Sequence, residues 1–207
     1  MTYLITGVFT IIVLIFCFFY FIKQSKFPSG FIGRKMMRLW NKIYLPMVKW
    51  SLNEIDISFF PTLILDVGTG NGASTNLLYE SYRPSSIYGI DISETAIKEA
   101  KKMYPSGSIS FELMNINQLR FKDNMFDFVT AFQTHFHWKN LESSLIEIKR
   151  VLVSGGKVVI ACETDKINIY TPEYKNAEEF RKLLDKLGFK NFVYKTCNKW
   201  SAYYFQK

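Results

Sequence analysis

From Tyr3 to Ile22 the chain carries no charged side chain, and the run YLITGVFTIIVLIFCFFYFI is apolar almost throughout. At a rise of about 1.5 Å per residue such a segment matches a hydrocarbon core about 30 Å thick, so it predicts one helix able to span a bilayer. A cleaved signal would need a basic leader, a shorter apolar stretch and a small-x-small site. Here no Lys or Arg precedes the run, and bulky residues lead straight into Lys23, so residues 1–22 read as a retained anchor. Phe27-Pro-Ser-Gly30 and Gly33 then predict a turn-rich link. Helical spacing returns with Met36, Met37, Leu39, Trp40, Ile43, Tyr44, Met47, Val48 and Trp50. This amphipathic stretch lies in the membrane interface or covers part of the following domain.

After Pro61 the period changes. Short apolar runs at 62–67, 86–91, 108–113, 126–132 and 157–162 predict strands, alternating with helical patterns at 73–79, 93–104, 141–152 and 177–187. Ser93 is placed to cap the second of these helices and Pro105 to end it, while Gly188 stands just past the last. Two aromatic runs, 191–196 and 200–205, flank Cys197-Asn198-Lys199 and predict a closing antiparallel hairpin. Strand–helix alternation implies an α/β domain over 61–207 with a mostly parallel sheet covered on both faces. Residues 23–60 then form a basic juxtamembrane linker and helix, a candidate lid.

Composition changes this picture only in its charge. With 48% hydrophobic and 21% charged residues the chain is of folded type. The formal net charge of +8 is concentrated in Lys23, Lys26, Arg34, Lys35, Arg38, Lys42 and Lys49, with no acid before Glu54. The positive-inside rule puts that side of the span in the cytoplasm. The basicity either attracts anionic headgroups or serves topology alone. No basic stripe survives in the rest of the chain, which disfavours nucleic acid as a partner. Cys17, Cys162 and Cys197 are isolated, without C-x-x-C or Cys/His ligand spacing, so neither a disulfide framework nor a metal site is expected.

The chemistry lies at strand ends, where parallel sheets bind their ligands. Asp66-Val67-Gly68-Thr69-Gly70-Asn71-Gly72 closes the first strand and opens a helix. Gly68-x-Gly70-x-x-Ala73 nominally fits a dinucleotide fingerprint, a weak signal by itself. Asp66 stands where a carboxylate can receive the amino group of an amino-acid-like cofactor, and Asp91 ends the second strand, placed for a ribose hydroxyl pair.

Taken in order, LDVGTGNG, YGIDIS, LRFKDNMFDFV and RVLVSGGKVVI resemble the successive motifs of class I S-adenosylmethionine (SAM)-dependent methyltransferases. The resemblance runs from Pro61 to the end of the chain. It implies a Rossmann-like fold with a seven-stranded sheet and a C-terminal antiparallel hairpin, preceded here by one transmembrane helix. The segment FPSGFIGRKMMRLWN is similar to the leader of a membrane-anchored bacterial-type subgroup. The resemblance assigns Asp66, Val67, Gly68, Thr69 and Gly70 to the methionine moiety, Asp91 to ribose and Ile92 to adenine. Asn115 and Ile116 stand where relatives carry an Asp-Ala pair beside the adenine amino group, and an amide oxygen still accepts that hydrogen bond. Ser154 replaces the Pro usual before the double glycine. Phe132 and Gln133 fall near the transferable methyl group.

Methyl transfer from a sulfonium is an in-line displacement with an activated leaving group, so positioning and exclusion of water supply most of the catalysis. A base is needed only for a nucleophile whose proton has a high pKa. His135 and His137, the only histidines, lie beside Trp138 in the loop after the fourth strand and are candidates for that role, or for aromatic wall. Trp40, Tyr44 and Met47 are candidate lid or substrate residues. The expected acceptor is a small molecule or a membrane lipid, since a tethered site samples the bilayer surface. Two alternatives share the glycine loop: an NAD(P)-dependent oxidoreductase, for which a second substrate domain is missing, and a catalytically silent SAM-binding membrane protein.

Overall fold

The computed structural model describes residues 2–26, 28–56 and 58–207, so Phe27 of the expected link lies outside the described residues. The apolar run forms one helix, α1 (Thr2–Lys26), within which Thr6–Gln24 is long and apolar enough to cross a membrane. Its large side chains, Phe9, Leu14, Phe16 and Phe19 among them, are exposed. Among its described side chains only Gln24, near the end that meets the next helix, is buried.

The link is shorter than expected. Helix α2 spans Gly30–Asn53 and takes in Gly33, which is buried against Pro28. The corner needs few residues because a side chain closes it: Ser29 N donates to Gln24 Oε1 at 2.8 Å and Gln24 Nε2 donates to Ser29 Oγ at 2.9 Å.

Seven strands follow: β1 (Leu63–Val67), β2 (Ser86–Asp91), β3 (Ile109–Leu113), β4 (Phe126–Phe132), β5 (Leu152–Glu163), β6 (Lys190–Cys197) and β7 (Trp200–Gln206). They form one sheet of order β3-β2-β1-β4-β5-β7-β6. β1 to β5 pair in parallel, while β7 runs antiparallel to both β5 and β6. The Rossmann-like methyltransferase fold with its closing hairpin is therefore as expected. β5 differs in its start: Leu152 already pairs with Phe126, and Gly155-Gly156 sits inside the strand at a register shift instead of turning into it.

Period-two alternation sends the strand side chains to two cores. One face packs Leu65, Val129 and Ile160 under α5 (Leu141–Val151) and α7 (Ala177–Lys186). The other packs Ile64, Ile87 and Phe128 against α3 (Ala73–Tyr82), α4 (Glu94–Met103) and the second half of α2. Met47 and Val48 of α2 are fully buried there, each worth about 1.5–3 kcal/mol of transfer free energy. Ser93 caps α4 by accepting from Ala96 N, as anticipated. Two motif residues turn out to hold the frame: Asp127 Oδ2 accepts from Thr62 N and Leu63 N, pinning the start of β1. Arg150 donates to the carbonyls of Phe121 and Leu119 and pairs with Glu147 and Asp123, fixing the β3–β4 connection.

Candidate active site

β1 lies between β2 and β4: the chain runs outward from β1 through β2 to β3, then crosses back to β4 on the other side of β1. The crevice at this reversal of strand order is where loops from the carboxyl ends of strands diverge and leave room for a ligand. Gly68 N and Thr69 N both donate to Ile90 O, at 2.8 and 3.0 Å, folding the glycine loop back over β2. Gly68 adopts φ +74, and a Cβ there would stand 2.4 Å from Thr134 Oγ1, so only glycine fits.

Two cavities meet at this loop. The one on the α2 side, about 170 Å³, is lined by Trp40, Asn41 and Tyr44 of α2, Gly70 and Asn71, Phe132 and Gln133, and Glu163, Lys166 and Tyr170. The end of α1 contributes Gln24 to its wall, and the following corner contributes Pro28. The one on the β3 side, about 430 Å³, is lined by Val67, Ile90, Ile92, Met114, Asn115, Ile116, Asn117 and Trp138. Gly68, Asp91, Thr134, Phe136 and His137 belong to both.

Asp91 stands at the shared rim. Its Oδ2 accepts from Gly70 N at 2.9 Å and its Oδ1 from Ser93 N at 2.8 Å, and burial raises its pKa. Each oxygen keeps a second lone pair for a ligand hydroxyl.

Asp66 differs from its expected position. It is buried, lines neither cavity, and accepts from Ser74 Oγ, Thr75 Oγ1 and Thr130 Oγ1 at 2.7, 2.7 and 2.9 Å. Burial pushes its carboxyl up to about 6 despite these bonds. Odd-numbered β1 side chains face the α5 core, so Asp66 points under the helix that the glycine loop opens, not into the cavity. Thr69 is likewise buried, its hydroxyl bonded to that of Thr75. Met47 also leaves the expected lid set, because it faces the sheet core.

The two histidines separate. A single 3-10 turn, His135–His137, follows β4 and turns alternate rings in and out. His135 is buried edge-on against Trp138 and Tyr203 and lines neither cavity. Its Nδ1 has no hydrogen-bond partner, and burial drives its pKa down to about 3, so it remains a neutral wall residue. His137 faces both cavities, with Tyr170 packed edge-on at 5.4 Å.

Several lining residues escaped the sequence reading. Helix α6 (Thr164–Tyr170), which brings Lys166 and Tyr170, is too short to show a period. Asn71 is buried beside Asn41, whose Nδ2 donates to Asn71 Oδ1 at 3.1 Å, while Asn71 Nδ2 lacks a partner. Gln133 holds φ +56, an uncommon value for a side-chain-bearing residue, and its Oε1 accepts from Glu163 N. The Asn115 amide oxygen accepts from Asn117 N at 3.0 Å, so part of its accepting capacity is already used.

Comparison with known proteins agrees with this geometry. The methyltransferase-domain family model matches residues 65–160. The chain is 31% identical to an O-methyltransferase, cnsE, of Penicillium expansum, over 61% of this chain and 51% of that protein. It is 34% identical to the ubiquinone/menaquinone biosynthesis C-methyltransferase UbiE of Desulfotalea psychrophila, over 46% of this chain and 39% of that one. The chain thus spans about half the length, or less, of these curated relatives. In fold it is similar to a Methanococcus maripaludis protein assigned as a SAM-dependent methyltransferase, with a TM-score of 0.69 at 20% identity, covering 84% of this chain and 92% of that one. The order of its motifs, the sheet topology and the matched region agree: residues 65–160 carry a methyltransferase domain, in a chain with the fold of the class I SAM-dependent methyltransferases.

Proposed function

We propose that this methyltransferase acts on an apolar, lipid-like small molecule reached from the membrane surface. The observation that carries the reading is the meeting of two unlike cavities at Gly68, Asp91, Thr134 and His137. In this reading the β3-side cavity holds the adenosine. Asp91 accepts from the ribose hydroxyls, Ile92 and Ile116 flank the base with Val67 beneath, and Asn115 meets its polar edge. The amino-acid portion lies along Gly68–Gly70, where the unpartnered Asn71 Nδ2 is a ready donor to a carboxylate. Asp66 acts as a positioning residue: through Ser74, Thr75 and Thr130 it fixes the loop and the start of α3 from below.

When bound, SAM supplies a methyl group on positively charged sulfur. The chain's part is to orient the acceptor and keep water out. Trp40 and Tyr44 roof the α2-side cavity, Phe132 and Gln133 form its floor, and Trp138 borders the adjoining cavity. His137 is the group suited to take a proton from a hydroxyl, amine or thiol acceptor. A relative named for ubiquinone and menaquinone biosynthesis supports a quinone-like acceptor among the apolar candidates. α1 is the single-pass anchor, with the catalytic domain cytoplasmic, as the cations from Lys23 to Lys49 support; membership of a membrane-anchored bacterial-type subgroup belongs to the same reading.

Calorimetry on the full chain in lipid nanodiscs tests the reading, with SAM, S-adenosylhomocysteine and NADH as ligands and Asp91→Ala as control. Micromolar binding of both adenosyl ligands, lost in the control, is expected, followed by methyl incorporation into a lipid extract. Binding of NADH alone would replace the reading by an oxidoreductase. Cofactor binding without methylation of any extract would leave a silent SAM-binding protein.

A further inference from the structure

We propose that α2 is a two-faced element whose outer face seats in the headgroup layer of an anionic leaflet, so that the acceptor enters the α2-side cavity laterally from the bilayer. This rests on α1 spanning the membrane, and adds to it a second, independent contact that governs access to the site.

The inner face of α2 is accounted for: Met37, Met47, Val48 and Leu52 are buried, and Trp40, Asn41 and Tyr44 line the cavity. The outer face is uncovered among the described residues. Phe31 and Leu39 are each 60% exposed, and Ile32 and Ile43 are exposed beside them. Solvent-facing helix surface is ordinarily polar, and large apolar side chains on it need an apolar medium.

Charge names that medium. Arg34 and Arg38 reach Glu99 of α4, at 3.6 and 3.5 Å, and so tie the helix to the domain. Lys35, Lys42 and Lys49 are exposed and pair with no acid among the described residues. No acidic residue occurs before Glu54 to compete for them. An apolar stripe interleaved with unpaired lysines is the pattern of a helix lying in the plane of an anionic interface.

Continuity with α1 fixes the depth. The stretch from Lys26 to Gly30 spans at most roughly 15 Å even when extended. The Gln24–Ser29 hydrogen bonds hold it as a tight corner. Gln24 and Pro28 are themselves part of the cavity wall. The cavity therefore opens where the span meets the headgroups, and an acceptor dissolved in lipid need not cross water.

The test uses the full chain carrying Leu39→Trp, in nanodiscs of phosphatidylcholine alone or mixed with phosphatidylglycerol, with brominated acyl chains as quenchers. Emission from the added tryptophan, taken as the difference from the unsubstituted chain, is expected to be quenched in the anionic discs. Quenching should fall several-fold in the neutral discs, and equally when Lys35, Lys42 and Lys49 are changed to Gln. SAM binding by the triple variant should be unchanged, which shows that it is folded. Retention in the disc reports α1 separately. A chain that stays in the disc but shows no quenching in either lipid overturns the docking of α2 while leaving the anchor intact. A chain that leaves the disc overturns both.

Discussion

The β3-side cavity and the α2-side cavity share a rim but are built on different principles. The first is made from residues that directly follow β1, β2, β3 and β4, so each wall is local to one strand end. The second joins the end of α1, the middle of α2, the β4 turn and α6, segments far apart in the chain. A wall assembled from distant segments can change without disturbing the fold, which is why the proposed reading gives the local cavity to the cofactor and the assembled one to acceptor choice.

If the two halves are separable, substitutions should divide accordingly. The largest effect is expected at the shared rim. His137→Gln should lower kcat by about 10²–10⁴-fold if the group transfers a proton, with cofactor affinity unchanged in calorimetry. A fall confined to KM would instead make it a wall residue.

On the proposed reading Asp91→Ala removes a carboxylate that accepts from ligand hydroxyls, each such bond worth about 1.5–3 kcal/mol. It should weaken SAM binding by roughly 10²-fold and leave the acceptor KM in place at saturating cofactor. Trp40→Ala should do the reverse, raising the acceptor KM about tenfold through lost apolar contact, with the cofactor Kd untouched. Equal shifts of both constants in either variant would break the division.

The remaining effect concerns stability, not turnover. His135 titrates near 6.5 in the unfolded chain but stays neutral in the fold down to about 3. The unfolded state binds the extra proton first, so stability is full above about 6.5 and falls as pH drops through that window, by at most about 1.4 kcal/mol per unit. Asp66 has the opposite sign: its pKa is raised to about 6, so its contribution is present below 3.8 and lost as pH rises through 6. Urea titrations from pH 7 to pH 4 should show the acid loss flattened in His135→Phe and steepened in Asp66→Asn.

The same division explains what the sequence made legible. The strand-end motifs could be read because a tight turn beside a ligand demands particular residues: Gly68 for its φ, Asp91 for its paired oxygens. The sequence singles out Asp66, but not the direction of its side chain. Its placement beside the glycines says nothing of which way a strand side chain points, and here it points beneath α3 into three hydroxyls. The two histidines looked equivalent for a related reason, since a 3-10 turn has no repeating period to say which ring faces in. Gln24, Lys166 and Tyr170 gave no signal, because their place in the cavity wall arises from long-range packing alone. α2 was seen as two-faced, but the assignment of Met47 to the core and Trp40 to the cavity depends on a helix rotation that only the sheet beneath can set.

The hydrogen bond from Ser93 Oγ to Pro28 O, 2.8 Å long, joins the cap of α4 to the corner after α1. Ser93 also donates its backbone N–H to Asp91, so a single residue touches both the corner after α1 and the carboxylate at the shared rim of the two cavities. The corner between α1 and α2 is thus joined mechanically to the strand-end loops, so a graft that replaces α1 must keep Gln24 and Pro28, which belong to the cavity wall.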